Sequence, residues 1–147
     1  MKDILLHRKR WSKKFGQLIL FSVVGGIGIL INTAILYILT STFNVYYIFA
    51  SAIATEVAII ANFIGNNTFT FANNKNNIPL WKKFVSFQVV SLLSLVITVS
   101  VLWALTSLLG QDLLLVWNII AILVAFGSNF ILNSKYTWSE KKPIPQG

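Results

Sequence analysis

Apolar residues occupy four long stretches of the chain, separated by short polar segments. The stretches cover roughly residues 17–39, 47–65, 84–108 and 113–132. A transmembrane α-helix needs about 20 apolar residues to cross ~30 Å of hydrocarbon, and each stretch is close to or above that length. The pattern therefore predicts an all-α membrane protein with four transmembrane helices. The first stretch is too long for a cleaved signal peptide and no small-residue cleavage site follows it, so we expect it to persist as a helix.

The polar segments differ in charge, and this difference predicts how the helices are oriented. Residues 41–46 and 109–112 contain no Lys or Arg, whereas all twelve basic residues lie near the two ends of the chain or within residues 66–83. Loops rich in Lys and Arg stay in the cytoplasm, so both termini and the middle connection are predicted to be cytoplasmic, in the plasma membrane. We divide the chain into a basic amphipathic segment at 1–16, a four-helix domain at 17–138 and a polar tail at 139–147.

Composition supports the membrane class and narrows the chemistry. Only 11% of residues are charged, against roughly 25% in a soluble domain. Cysteine is absent and His7 is the only histidine, which excludes disulfides and thiolate or His-rich metal sites, so we expect no metal and no cofactor. The net charge of +8 is attributed to topology and to contact with anionic membrane lipids, not to nucleic acid.

Matched short sequences in the two halves indicate an internal repeat. WSKKF at 11–15 and WKKF at 81–84 precede the first and third stretches, which close on LTSTF at 39–43 and LTSLL at 105–109. The second and fourth stretches end on NFIGNNTFTF at 62–71 and NFILNSKYTW at 129–138. The chain is therefore predicted to contain two copies of one helical hairpin. Because each copy has two spans, both enter the membrane in the same direction, related by a pseudo-two-fold axis along the membrane normal.

Asparagines recur in the last turns of the second and fourth stretches. Asn62 and Asn66 are four residues apart, as are Asn129 and Asn133, so each pair lies on one helix face. An asparagine side chain both donates and accepts hydrogen bonds, which suits a hydroxylated or phosphorylated headgroup. The same pairs also suit hydrogen bonding between packed helices, and the sequence leaves both roles open.

Lysines accompany the asparagines on the predicted cytoplasmic side. Those nearest the helix ends are Lys13, Lys14, Lys82, Lys83 and Lys135. An aromatic residue followed by lysines is typical of a membrane interface, where the ring lies at headgroup depth and the amines reach water or phosphate. Two roles remain open, namely anchoring alone and direct binding of a substrate phosphate.

Glu56 is the only acidic residue inside a predicted span. A carboxylate at that depth is costly, so such residues usually face a bundle interior or a cavity and have a function. Glu56 could carry a proton, pair with a cation or bind sugar hydroxyls, or it could be a protonated group bonded to a neighbouring helix. Asn32, in the first span, could extend a polar path from Glu56 toward the outside.

The glycines of the first span, Gly25, Gly26 and Gly28, do not form a nucleotide-binding loop, because no strand precedes them. We expect them to serve close helix packing, with Ser22 and Gly26 as a pair of small residues four apart.

Several of these sequences together resemble the GtrA-like family. They are the lead KKFGQLILFSVVGGIGILIN at 13–32, the ending NF..N...TF of the second span, and the four-helix layout. The resemblance covers roughly residues 13–140. Asn67 and Ser134 occupy positions where the family often has arginine, and Lys135 lies beside the second of them.

The resemblance implies a role in cell-surface polysaccharide or glycan synthesis. It implies translocation, or flipping, of a polyprenyl-phosphate-linked monosaccharide from the cytoplasmic to the outer leaflet, beside a partner glycosyltransferase. The segments outside the spans are too short to form a glycosyl-transfer domain, so we expect no enzymatic activity. The headgroup would meet Glu56, Asn32 and the paired asparagines, and its phosphate would meet the lysines. One alternative is a non-transporting membrane anchor or subunit of a polyprenyl-phosphate glycosyltransferase, and another is a proton-coupled exporter of the small multidrug type. Because four helices make a thin bundle, a homodimer is expected.

Overall fold

The computed structural model describes residues 2–74 and 76–139, with side chains from residue 12 onward in those ranges. The described ranges contain only helices and their connections. The α-helices are α1 (Lys2–Ser41), α2 (Tyr47–Gly65), α3 (Leu80–Leu109) and α4 (Leu114–Leu132), and a five-residue π-helix follows α2 and α4, as π1 (Asn66–Thr70) and π2 (Asn133–Thr137).

Four of the described helical segments are long and apolar enough to cross a membrane, which confirms the predicted all-α class and number of spans. They are Ser12–Ser41, Tyr47–Thr70, Leu80–Leu109 and Leu114–Thr137. The bounds of α2 match the predicted stretch, whereas α3 begins four residues earlier than predicted. Helix α1 continues without a break from the predicted N-terminal segment into the first span. The predicted polar tail lies outside the described residues from position 140 onward.

Local sequence explains where α3 begins and ends. Pro79 precedes the helix, and its carbonyl oxygen accepts hydrogen bonds from the backbone N–H groups of Lys82 and Lys83 at 3.0 and 3.1 Å. Proline suits this position because it has no N–H to satisfy and its φ is fixed. Gly110 follows the helix with a φ of 84°, a left-handed conformation that glycine adopts without steric cost.

The chain divides into two compact units, Met1–Asn73 and Asn74–Gly147. The first unit, called here the first hairpin, contains α1, α2 and π1; the second hairpin contains α3, α4 and π2. In the first hairpin Phe21 contacts Phe71, Gly28 lies against Asn62, and Asn32 bonds to Thr55. Contacts that advance along α1 therefore move back along α2, so the two helices are antiparallel.

Small residues form much of the buried surface between the helices of each hairpin. Ala50, Ala54 and Ala58 are buried at every fourth position of α2, and Ala121 and Ala125 are buried in α4. Helices in a membrane associate through close van der Waals packing, which small residues permit. Most large apolar side chains on the same helices are exposed, as expected for surfaces that face lipid.

The close helix contact of the first hairpin lies at Gly28, not at the predicted Ser22–Gly26 pair. Gly26 and Ser22 are exposed, and none of the described atoms would touch a methyl group added at Gly26. A methyl group at Gly28 would lie 2.6 Å from the Cγ atom of Asn62, and one at Gly65 would lie 2.8 Å from a methyl carbon of Val24. The expectation about Gly26 is therefore wrong for this hairpin, because the contact face of α1 lies two residues further along.

Candidate functional site

The ends of the second helix in both hairpins share an unusual backbone. In the first hairpin the N–H of Phe71 donates to the carbonyl oxygen of Asn66 at 2.8 Å, and in the second Trp138 donates to Asn133 at 2.9 Å. These bonds span five residues, which defines a π-helix. Single π turns are rare and occur frequently at functional sites. We call residues 62–71 the first Asn turn and residues 129–138 the second Asn turn.

The inner asparagine of each Asn turn is buried and bonded within its own turn. Asn66 and Asn133 are 2% and 0% exposed. The hydroxyl of Thr70 donates to Asn66 Oδ1, and that of Thr137 donates to Asn133 Oδ1, each at 2.8 Å. Sequence reasoning predicted the asparagines as headgroup ligands and missed the threonines, although both sequences place threonine four residues after asparagine. These asparagine oxygens already hold a hydrogen bond that supports the π turn.

An aromatic pair closes each Asn turn against the first helix of its hairpin. The rings of Phe21 and Phe71 meet edge to face at 6.3 Å, and those of Phe87 and Trp138 at 5.6 Å. All four side chains are buried. Edge-to-face pairs add about 0.5–1.5 kcal/mol beyond the burial of area. The pairs also identify equivalent positions in the two hairpins.

The outer asparagine of the first Asn turn has an unsatisfied oxygen. Asn62 Oδ1 is buried and has no hydrogen-bond partner among the described residues. The side chain lies over Gly28, where the absence of a Cβ makes room for the amide group. A buried acceptor without a donor costs about 1–3 kcal/mol. Asn62 as a whole is half-buried.

The outer asparagine of the second Asn turn is bonded instead. Asn133 Nδ2 donates to Asn129 Oδ1. On the other side, Thr137 uses its proton for Asn133, so the contact of 2.8 Å between the Ser86 and Thr137 hydroxyl groups has Ser86 as its donor. A continuous chain of hydrogen bonds thus runs from Ser86 through Thr137 and Asn133 to Asn129.

The residue opposite the outer asparagine differs between the hairpins. Gly28 follows Phe21 by seven residues, as Ser94 follows Phe87, so the aromatic pairs place Gly28 and Ser94 at equivalent positions. Ser94 is buried and its hydroxyl donates to the carbonyl oxygen of Val90 at 2.9 Å. The two Asn turns therefore share a backbone and an Asn–Thr bond but not the surroundings of the outer asparagine.

Relative to the aromatic pairs, the lysines of the two hairpins lie at different distances along their helices. Lys14 precedes Phe21 by seven residues, whereas Lys83 precedes Phe87 by only four. Three residues correspond to about 4.5 Å along a helix, so the lysines of α3 lie closer to their Asn turn. Lys13, Lys14, Lys82 and Lys135 are exposed, and Lys83 is half-buried.

Two of these amines lie over neighbouring aromatic rings. Lys82 Nζ is 5.4 Å from the centre of the Trp81 ring, and Lys135 Nζ is 5.2 Å from that of Tyr136. Cation–π contact of this kind suits residues at headgroup depth. In the second hairpin Lys82, Lys83 and Lys135 lie at the same end, because Ser86 in α3 contacts Thr137 in π2.

The structure places the remaining predicted site residues further along the first hairpin. Asn32 Nδ2 donates to the Thr55 hydroxyl at 3.2 Å, which joins α1 to α2. Glu56, the next residue, has an exposed side chain. It precedes Asn62 by six residues, or about 9 Å along the helix. The first hairpin thus brings Asn32 and Thr55 together and holds Glu56 between them and Asn62.

A model of the family described as "GtrA/DPMS, transmembrane domain" matches residues 20–138, which is most of the chain. The chain belongs to this family. The GtrA/DPMS domain covers both hairpins and both Asn turns, and the predicted resemblance is confirmed.

A curated relative of this GtrA/DPMS protein is a dolichol-phosphate mannosyltransferase from Pyrococcus furiosus. It is 27% identical over 130 residues, which is 88% of this chain and 36% of the relative. The chain therefore spans about a third of the length of that relative.

Two further buried groups of the GtrA/DPMS domain lack partners among the described residues, namely Ser134 Oγ and Asn76 Oδ1. Asn76 Nδ2 donates to the backbone oxygen of Ser139 and Asn74 Nδ2 to that of Trp138, at 3.1 and 2.9 Å, which ties the middle connection to the second Asn turn. Within the described residues no group of three or more metal-ligating side chains occurs. The polar groups of the candidate site are amide, hydroxyl, carboxylate and amine groups, which can bind and position polar ligands.

Proposed function

We propose that the protein translocates a polyprenyl-phosphate-linked monosaccharide from the cytoplasmic to the outer leaflet. The observation that carries the proposal is the family match across both hairpins. Dolichol is a polyprenol, and the name of the curated relative assigns it a dolichol-phosphate sugar reaction. The substrate class implied by the resemblance agrees with that name.

Within this proposal the polar groups of the first hairpin form a series of steps for the headgroup. Lys13 and Lys14 meet the lipid phosphate at the membrane surface, as Lys82, Lys83 and Lys135 do at the second hairpin. The first Asn turn then receives the sugar, and Glu56 and the Asn32–Thr55 pair supply hydrogen bonds further along. Carboxylate and amide groups inside a membrane are costly and are usually retained for a function, which supports their assignment to the path.

We further propose that both termini and the middle connection are cytoplasmic, in the plasma membrane. The distribution of basic residues supports this orientation, and hairpins of two spans each would then enter the membrane in the same direction under a pseudo-two-fold axis. A homodimer would provide the wider path that a sugar headgroup needs.

The test is flipping of polyprenyl-phosphate glucose by the full-length protein in proteoliposomes. We expect the glucose lipid to reach the opposite leaflet faster than in protein-free vesicles, and Glu56→Gln to slow it. The matched control is Val57→Ile, next to Glu56 on the same helix and at an exposed apolar position. Thr55, the other neighbour of Glu56, is unsuitable as a control because it is part of the proposed path. Absence of flipping with any sugar lipid would contradict the proposal, and proton-dependent efflux of organic cations would favour the exporter alternative.

A second candidate is a membrane anchor for a polyprenyl-phosphate glycosyltransferase. One observation favours it, since the chain matches about a third of a longer protein that is named a glycosyltransferase. Co-purification with a glycosyltransferase, together with normal enzyme activity and no flipping in vesicles, would support the anchor. Flipping by the purified protein alone would support translocation.

A further inference from the structure

The two outer asparagines are equivalent in sequence but not in hydrogen bonding. Asn129 Oδ1 accepts a hydrogen bond from Asn133 Nδ2, whereas Asn62 Oδ1 is buried with no donor among the described residues. A buried acceptor in a membrane protein is costly to leave unpaired. The unpaired oxygen therefore indicates a donor that arrives from outside the chain.

The chemistry of the free atom limits what that donor is. A carbonyl oxygen only accepts hydrogen bonds, so it pairs with a hydroxyl or N–H group and not with an ionised phosphate oxygen. A monosaccharide headgroup carries several hydroxyl groups.

The surroundings of Asn62 also leave its amide group able to turn. It lies on the bare backbone of Gly28, and rotation about the terminal torsion of an asparagine is soft. Because Asn62 Oδ1 holds no hydrogen bond, turning it toward a ligand breaks none. Asn129 would first have to release Asn133, which is joined to Thr137 and Ser86.

We propose that Asn62, seated over Gly28, accepts a hydrogen bond from one hydroxyl of the sugar headgroup, while Asn129 has a structural role in its hydrogen-bond chain. The inference rests on the proposed polyprenyl-phosphate sugar substrate and deepens it. Only the first Asn turn binds the sugar, and Gly28 is the positioning residue that leaves the amide group of Asn62 free to turn toward it.

The test measures binding of the full-length protein in nanodiscs to polyprenyl-phosphate glucose, its monodeoxy analogues, and polyprenyl phosphate without a sugar. For the unmodified protein, one deoxy analogue should bind about five- to tenfold more weakly than the glucose lipid. In Asn62→Leu the same analogue and the glucose lipid should bind equally, and the sugar-free lipid should bind as it does to the unmodified protein. Asn129→Leu should keep the discrimination and lower the melting temperature.

Gly28→Ala provides a second variant, which keeps Asn62 but displaces its side chain, so it should reduce the same discrimination. Gly25→Ala is its control, since a methyl group there meets nothing among the described residues.

The inference is overturned if Asn62→Leu still discriminates the analogue, or if no deoxy analogue binds more weakly, because the oxygen is then satisfied by water or a lipid hydroxyl. Equal loss of sugar-free lipid binding would also overturn it. Binding with this pattern but no flipping would contradict translocation alone, and flipping without the pattern would contradict the Asn62 assignment alone.

Discussion

At Gly28 the backbone of α1 lies against the Asn62 amide, so even a methyl group there has a measurable consequence. Gly28→Ala places a carbon 2.6 Å from Asn62 Cγ, and overpacking of this kind costs about 1–3 kcal/mol. The gain in helix propensity, about 0.5–1 kcal/mol, offsets only part of it. We expect a lower melting temperature, measured by far-UV circular dichroism in detergent. Gly26→Ala, at an exposed position, should leave it unchanged or raise it, and a lower value for both variants would contradict the assigned contact face.

The sequence predicted the asparagine pairs but not the difference between them. Spacing alone places Asn62 with Asn66 and Asn129 with Asn133, since it needs only the helical period. Whether an outer asparagine is bonded depends on the opposing helix and on how its turn folds. Local spacing contains neither, so the contact between Gly28 and Asn62 emerged only from the packing of α1 on α2.

The π turns are elements held by few hydrogen bonds, so their threonines should differ in importance. Thr137→Val removes the donor to Asn133 and the acceptor for Ser86, whereas Thr70→Val removes the donor to Asn66. Each loss costs about 0.5–1.5 kcal/mol or more because the partners are buried. We expect Thr137→Val to lower the melting temperature more than Thr70→Val. Thr68→Val, at an exposed position of π1, is the control, and equal effects at positions 70 and 137 would contradict the longer chain.

Helix α2 packs through alanines, so the face of the helix should decide the effect of a larger side chain. Ala54 is fully buried and Ala52 is exposed. Ala54→Leu forces α1 and α2 apart, at a cost of about 1–3 kcal/mol, whereas Ala52→Leu adds apolar surface toward lipid. The melting temperature in detergent should fall for Ala54→Leu only. A similar fall for Ala52→Leu would mean that this face is also a packing surface.

Long apolar stretches were enough to predict the helices, because any backbone that crosses hydrocarbon must satisfy its own hydrogen bonds. The π turns were not predicted, since Asn66 and Thr70 fit an ordinary helical spacing equally well. The repeat markers before the first and third apolar stretches were found, yet the aromatic pairs show that the lysines of α3 lie closer to their Asn turn. A sequence match of short markers does not fix the helix register, which depends on the side chains that meet across each hairpin.

At the scale of the whole molecule, the positions of the lysines and arginines in the sequence are the basis of the proposed orientation, in which all of them lie on one side of four spans. The Asn turns end α2 and α4, so in the proposed orientation both would lie on that same side. If that side is cytoplasmic, the proposed site meets the lipid-linked sugar at the cytoplasmic leaflet. The direction of translocation thus depends on the orientation, which can be measured independently of any transport assay.

Because the sequence contains no cysteine, each engineered cysteine gives a unique label. Thr42→Cys and Gln111→Cys lie in exposed connections between paired helices, and Asn77→Cys lies in the middle connection. In intact cells or spheroplasts, a membrane-impermeant maleimide should label positions 42 and 111 from outside, and position 77 only after permeabilisation. Denatured samples, in which all three variants react, control for expression and reactivity. Labelling of position 77 in intact cells, with protection of 42 and 111, would place the Asn turns at the outer leaflet and exclude loading of the sugar lipid from the cytoplasm at this site.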